Sequence, residues 1–324
     1  IDLAGAYTTA MAGIRTPDWK KTETTTDITI LANISALSIA RVEFKFPDDT
    51  RFPSLPVRAG DRGLICPLSG ISYCTGAELV VALELGADIA IEHGVIVPYA
   101  DDERPFAKFT TTINEIRAAH PKGSIFERMA KEIGNSLYGK IAQGVETMKA
   151  RSDKNHGRRV FNTEFGEMTT LPPSAITQPL LAAFTTGLVR AVLSEIISRL
   201  PEHRTVYSAT TDGLLTNASM DEIDLSGPAA KVFTELRSHV SDSPAVIEEK
   251  HRVAQVIVTK TRGTITVKPV NENNPGKPVL ARAGQRLETR HSDPWAECQA
   301  WEELIKTRTF DSAGSHRQFI PLRQ

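Results

Sequence analysis

Between residues 120 and 123 the chain reads His120-Pro121-Lys122-Gly123, a break that regular structure does not run through. Proline lacks the N–H that a helix interior needs, and glycine tolerates the left-handed backbone of a tight reversal. Both flanks have helical character. Before the break, Pro105–Arg117 sets Phe106, Phe109, Ile113 and Ile116 at helical spacing. After it, Ser124 with Glu127 three positions on makes a capping-box start for a second helix. Two helices joined by so short a turn predict an antiparallel helical hairpin. Strand patterns precede it, and both helices and strands follow, so the class expected is α+β rather than a doubly wound sheet.

Residues 1–14 read as a short strand leading into a turn, and Ile28–Ile34 and Ile39–Phe46 as strand-like stretches. Leu64–Tyr73 reads as a strand and loop, and Glu78–Leu85 as a short helix. Gln178–Leu200 has the pattern of a long amphipathic helix stopped by Pro201. Val206–Thr216 reads as strand–turn–strand, bending at Asp212-Gly213. Val253–Lys260 with Thr264–Lys268 makes a second strand pair, and Pro294–Lys306 a final helix. Residues 149–175 read as an insertion closed by Pro172-Pro173; its first part sets Lys149, Arg151, Lys154, Arg158 and Arg159 against one acid, Asp153. No apolar run approaches the length of a membrane span, and the N-terminus lacks a signal-peptide pattern and reads as cut from something longer. Net charge is −1, so a nucleic-acid surface must come from local clusters such as this one. Cys66, Cys74 and Cys298 have no metal-ligand spacing and point to free thiols in a reducing compartment.

The second helix carries chemistry. Lys131, Asn135 and Tyr138 stand at i, i+4 and i+7 and share one face, while Phe126, Met129, Ile133 and Leu137 fall on another, read most simply as core. A cation, an amide and a ring in line suit a nucleoside triphosphate lying along the helix. The run Lys131-Glu132-Ile133-Gly134-Asn135-Ser136-Leu137-Tyr138-Gly139 resembles the B motif of family B DNA polymerases at every defined position. Asp2-Leu3-Ala4-Gly5-Ala6-Tyr7 is similar to that family's A motif, and Ser208-Ala209-Thr210-Thr211-Asp212-Gly213 resembles its C motif. The C motif departs twice: Thr210 stands where the first Asp is expected and Gly213 where a Ser is. Gly63–Leu79 resembles the palm stretch between the A and B motifs, and Lys260-Thr261-Arg262 the Lys-x-Tyr motif, with Arg262 in place of the Tyr.

The resemblance implies a polymerase palm with an antiparallel sheet, a helical fingers hairpin and a partial thumb. Palm would cover 1–104 and 176–269, fingers 105–143, a basic processivity-type insertion 144–175, and thumb or C-terminal extension 270–324. It implies a template-directed DNA polymerase, nearest the protein-primed or primer-independent branch. Asp2 and Asp212 would be catalytic and, with Leu3, form the metal set for two Mg²⁺ ions, or Mn²⁺ as substitute. Two carboxylates suffice, because Mg²⁺ keeps water and phosphate oxygens as ligands. Tyr7, Lys131, Asn135, Tyr138, Arg117 and Lys122 would bind the nucleotide, with Tyr7 excluding a 2′-hydroxyl. Lys260, Arg262, Lys149, Arg151, Arg158 and Arg159 would bind DNA. Expected partners are template and primer DNA, dNTPs and a terminal protein or other replication protein, with no membrane. The expected setting is a bacterial or phage-infected cytoplasm or an organellar matrix. Thr210, Gly213 and Arg262 also motivate a competing reading, a catalytically silent polymerase-like module that binds nucleic acid.

Overall fold

A computed structural model describes residues 1–59, 63–144, 159–162, 167–170, 172–243, 245–260, 262–282 and 292–307; for 159–162, 167–170, 259–260 and 267 it describes backbone alone. In chain order the first elements are β1 (Asp2–Leu3), α1 (Ala6–Ala12), β2 (Glu23–Thr25), α2 (Ile28–Leu31), β3 (Leu37–Lys45), β4 (Val57–Arg58), β5 (Leu64–Ile65), β6 (Ser69–Thr75), α3 (Gly76–Glu84) and β7 (Asp88–Val97). The hairpin helices α4 (Ala107–Ala118) and α5 (Ile125–Ile141) follow, then β8 (Arg159–Asn162), β9 (Glu167–Thr170) and α6 (Pro179–Ser198). The remainder is β10 (Val206–Ala209), β11 (Leu214–Thr216), α7 (Pro228–Val240), β12 (Ile247–Glu248), β13 (Gln255–Lys260), β14 (Gly263–Lys268), β15 (Leu280–Arg282) and α8 (Pro294–Thr307).

The chain divides into two compact units. One comprises Ile1–Ala4, Pro201–Glu222 and Ile247–Gln324; the other, larger one comprises Gly5–Leu200 and Ile223–Val246. The larger unit is built on an antiparallel sheet of order β2-β7-β3-β6. Strand β3 is its spine, pairing with β6 from Ile39↔Thr75 to Lys45↔Ser69 and with β7 along its whole length. Its Ala40, Val42 and Phe44 alternate onto one face and bury there with Leu31, Phe46, Leu55, Leu79 and Ala82. Helix α6 is the central helix of this unit and packs on α1, α3, α5, α7, β3 and β6.

The smaller unit holds the β10–β11 hairpin, the β1–β12 pair and a sheet of order β13-β14-β15. Helix α8 lies on β14, burying Cys298 and Trp301 against Ile265. Arg282 of β15 forms a double-pronged ion pair with Glu297 of α8, at 2.5 and 2.6 Å.

The mixed helix and antiparallel-sheet class is as the sequence implies, and so is the helical hairpin. Several local expectations are overturned. The turn after β1 is present at Ala4-Gly5, but it leads into α1, which the sequence reading lacks and whose alanines and Met11 are buried. Ile28–Ile34 is not a strand: Asp27 accepts a hydrogen bond from the Thr29 N–H at 2.8 Å and caps the short helix α2. The capping box at the start of α5 is half formed. Ser124 Oγ accepts from the Glu127 N–H, but the Glu127 carboxylate accepts from Gly123 N–H and from Arg117. Strand β7 and helix α7 have no counterpart in the sequence reading.

Two corrections matter more. The stripe Phe126, Met129 and Ile133 is not core: these side chains are exposed by half or more, and Leu137 is half-buried. The face of α5 that packs inward is instead Glu127, Ala130, Gly134 and Ile141. Small residues there let α5 lie close on α4, and the bulky apolar side chains are left outside. The second correction is α6. An 18-residue stretch of this 20-residue helix is long and apolar enough by composition to cross a membrane, yet 72% of that stretch is buried within the fold. It is a core helix.

Helix α7 takes its N-terminal cap from α6. Its own N-cap, Gly227, offers no side chain, and the buried Glu195 accepts from the N–H groups of Ala229 (3.1 Å) and Ala230 (2.7 Å). Burial holds the Glu195 carboxyl above its usual range, opposed by those two N–H groups. Replacing Glu195 with Ala leaves two buried donors unsatisfied, which costs about 1–3 kcal/mol each at most. Urea unfolding of Glu195→Ala is expected to show a lower midpoint, and an unchanged midpoint would refute the cap.

Candidate polymerase site

In the smaller unit the A and C motifs meet through backbone. Strand β1 lies between the β10–β11 turn and β12: it forms an isolated antiparallel bridge from Asp2 to Gly213 and pairs Asp2 with Glu248. Two hydrogen bonds fix the first contact, Leu3 N–H to Asp212 O at 2.7 Å and Leu214 N–H to Ile1 O at 2.9 Å. Asp2 and Asp212, remote in sequence, are thereby carried on adjoining backbone. Burial raises the Asp2 pKa above the usual carboxylate value, and the neighbouring charge of Asp212 adds to it, as does Glu248.

The departures in the C motif have physical counterparts. A Cβ at Gly213 would collide with the Asp2 carboxylate, so a side chain here is incompatible with this placement of Asp2. Thr210 closes the turn, its N–H and Oγ1 both donating to Gly213 O, and Thr211 Oγ1 donates to Asp212 Oδ1 at 3.0 Å. The position expected to carry the first Asp therefore does turn-forming work.

Sequence reasoning missed Glu248. It stands directly across from Asp2, where side chains of an antiparallel pair share a face, and it forms an ion pair with Lys250. No local pattern marks it; only the β1–β12 register does. Among the described residues no group of three His, Cys, Asp or Glu side chains forms a ready metal cage. A pair of carboxylates fits Mg²⁺, which takes its other ligands from water and phosphate, and does not fit a structural zinc.

The larger unit holds the nucleotide-side candidates. Tyr7 of α1 and Tyr138 of α5 stack, with ring centroids 4.7 Å apart and planes 16° from parallel. Burial pushes the Tyr138 phenol up. Lys131 and Asn135 are exposed on α5, and Tyr138 is half-buried. Lys122 is exposed on the turn between the helices, whereas Arg117 is engaged with Glu127 at 3.1 Å. That ion pair ties the end of α4 to the first turn of α5.

The DNA-side candidates are reached less fully. Lys149, Arg151 and Arg158 lie outside the described residues. Arg159 opens β8, paired with Thr170 of β9. In the smaller unit, Lys260 ends β13 opposite Gly263, and the exposed Arg262 has a left-handed backbone, φ 62°, on the connection to β14.

A sequence-family profile described as DNA polymerase type B, organellar and viral, matches residues 1–170 of the 324. The chain belongs to that family. It is also similar to the primer-independent DNA polymerase PolB of Escherichia coli, 42% identical over 292 residues, which cover 87% of this chain and 32% of the relative. The chain thus spans about a third of the length of that relative. Among solved structures, phi29 DNA polymerase with primer–template DNA and incoming nucleotide superposes on 61% of this chain and 35% of its own, at 14% identity and a TM-score of 0.42. An orthorhombic crystal form of the same polymerase covers 68% of this chain and 38% of its own, at 15% identity and a TM-score of 0.42.

The hairpin that bears Asp212 is braced by Glu222, which accepts from Ser219 N–H and Oγ at 2.8 Å each and from Arg204 Nε at 2.9 Å. The Ser219 N–H, foremost, and these other donors hold its pKa down at about 2. A depressed folded-state pKa stabilises above the unfolded value and is lost as pH falls through the folded one. Glu222→Gln is therefore expected to flatten the loss of stability between about pH 4.5 and 2. Parallel acid-titration curves for parent and variant, followed by circular dichroism, would contradict the brace.

Proposed function

We propose that this chain carries the nucleotidyl-transfer part of a template-directed DNA polymerase, extending a 3′-hydroxyl with deoxynucleotides. The observation that carries the reading is the bridge from Asp2 to Gly213, which joins the A-motif carboxylate to the C-motif turn. The B-motif face of α5 and the 42% identity to a primer-independent polymerase support it. On this reading Leu64–Thr75 and the rest of 1–104 with 176–269 form the palm, 105–143 the fingers, 144–175 a basic insertion and 270–324 a thumb or extension.

Asp2 and Asp212, with the Leu3 backbone beside them, would hold divalent magnesium, and Glu248 is a third carboxylate within the same strand register. Bound there, the metal would neutralise charge on the reacting phosphate and on the attacking and leaving oxygens. The chain's own residues do the positioning. Lys131 draws triphosphate charge onto α5, with Lys122 at the turn as a second cation and Asn135 as a neutral donor between Lys131 and Tyr138. Arg117 acts on the nucleotide only indirectly, by fixing the hairpin through Glu127. Tyr7 bars a 2′-hydroxyl by bulk, and its stacking on Tyr138 keeps that bulk in place. Phosphoryl transfer asks mainly for such positioning and charge neutralisation. Arg159, Lys260 and Arg262, with Lys149, Arg151 and Arg158, are cations for the DNA backbone. Template, primer and dNTPs are the partners proposed, with a terminal or other replication protein, in a bacterial or phage-infected cytoplasm.

The decisive measurement is incorporation of a labelled deoxynucleotide with Mg²⁺ or Mn²⁺, run with and without a primer. Incorporation that survives without a primer would place the chain with its primer-independent relative. Asp2→Asn and Asp212→Asn are each expected to abolish incorporation while DNA binding survives. Full incorporation by either variant would sink the metal assignment, and a parent chain inert with both ions would support the silent-module reading.

A further inference from the structure

The smaller unit contains a cleft of about 570 Å³ that neither Asp2 nor Asp212 lines. That volume lies within the roughly 300–1,000 Å³ typical of ligand sites. One wall is the β10–β11 hairpin and the residues after it, Tyr207 with Leu214–Ser219. The other is Glu249 with His251–Val256, leading into β13. The first wall is thus the same hairpin whose turn presents Asp212, and Ile1, next to Asp2, also lines the cleft.

Tyr207 reaches the cleft through a β-bulge. Val206 pairs with Thr216 and Ser208 with Leu215, so β10 takes two residue steps where β11 takes one, and Tyr207 is the extra residue. Such a bulge bends its strand and re-aims a side chain. Here it leaves a large ring 44% exposed on the cleft wall. Among the described residues nothing hydrogen-bonds to the Tyr207 hydroxyl, the His251 ring, the Gln255 amide or the Asn217 Nδ2, whereas Asn217 Oδ1 accepts from the Thr205 N–H at 2.7 Å. Arg252, the only Lys or Arg of the lining, is engaged by Glu249 through three contacts of 2.6–3.2 Å. A phosphate would find no uncommitted guanidinium or ammonium there. A sugar and a base edge, with apolar surface and neutral hydrogen-bonding groups, fit this lining better.

The spacing to the carboxylates selects a part of the strand. From Tyr207 to Thr210, where the turn begins, is three residues, or roughly 10 Å at about 3.3 Å per residue. Successive nucleotides of a duplex strand rise about 3.4 Å. The ring therefore stands about three nucleotides from a 3′-hydroxyl placed at Asp2 and Asp212.

We propose that this cleft is a subsite for the strand being extended, in which Tyr207 packs against the sugar about three nucleotides behind the 3′ end and Asn217, His251 and Gln255 hydrogen-bond to the same stretch. The proposal rests on the polymerase reading above and adds to it a binding surface outside the three carboxylates. Tyr207 touches the product strand, not the reacting atoms.

The test uses the full 324-residue chain and measures binding of primer–template DNA, with no chemistry required. A single 2′-O-methyl sugar is placed at successive positions back from the primer's 3′ end, against the parent, Tyr207→Ala and Tyr207→Phe. With unmodified DNA, Tyr207→Ala is expected to bind roughly five-fold more weakly, the return on a few tens of Å² of apolar contact. Tyr207→Phe, which keeps the ring, should stay within two-fold of the parent. In the parent, the methyl group should weaken binding most at the third sugar or a neighbour of it. In Tyr207→Ala that penalty should disappear, since two changes at one contact are not additive. The salt dependence should be the same in parent and Tyr207→Ala, because no phosphate contact is removed. Equal methyl penalties in parent and Tyr207→Ala at every position overturn the proposal, and so does a shallower salt slope in Tyr207→Ala. Labelled dATP that binds without DNA and is lost in Tyr207→Ala, with the methyl penalties unchanged, would assign the cleft to a free nucleotide and overturn the strand subsite. Failure of the polymerase reading shows separately, as a parent that incorporates no deoxynucleotide; the sugar-position pattern needs binding alone and decides the cleft by itself.

Discussion

A helix as apolar as α6 can carry two charges through the interior only because each is met where it lies. Arg190 is met by Glu78, itself neutralised by two donors from Thr75, and Glu195 is met by the open N–H groups of α7. Leaving either charge unpaired in such surroundings would cost several kcal/mol. The pairings decide which elements α6 gathers: Glu78 draws α3 against it, and Glu195 fixes the start of α7. Once α6 is placed, α1 and α5 have a surface to rest on, and with them the two tyrosines. The architecture of the larger unit is thus organised by two polar matches inside an apolar contact.

In the smaller unit the organising constraint is the backbone of β1. Two residues of strand are too few to be stable alone. They persist because they are paired on both sides, with the Asp212–Gly213 turn and with β12. The arrangement explains why a departure from the family pattern need not be damage. A serine at position 213 would bring a Cβ against the Asp2 carboxylate, and Thr210 uses its N–H and hydroxyl to shape the turn that presents Asp212.

How much of this was legible beforehand follows from the range of each interaction. The hairpin α4–α5 was readable because its determinants are local: Pro121, Gly123, Ser124 and the spacing of apolar residues. The motifs were readable because their residues are contiguous. The inward face of α5 was misread because apolar periodicity says where a stripe is, not what covers it. Here Ala130 and Gly134 win the interior by letting helices approach, and Phe126, Met129 and Ile133 stay outside. The run Ile28–Ile34 was misread because one Asp27 cap outweighs β-branched propensity over four residues.

The residues that escaped notice share a property. Glu248 and Arg190 have no motif around them, and each gains meaning from a partner far along the chain: Asp2 across the β1–β12 register, and Glu78 for Arg190. A carboxylate or guanidinium in isolation reads as a solvated surface group, since most are. What distinguishes these is the company imposed by tertiary pairing, which a single sequence does not encode in any local window.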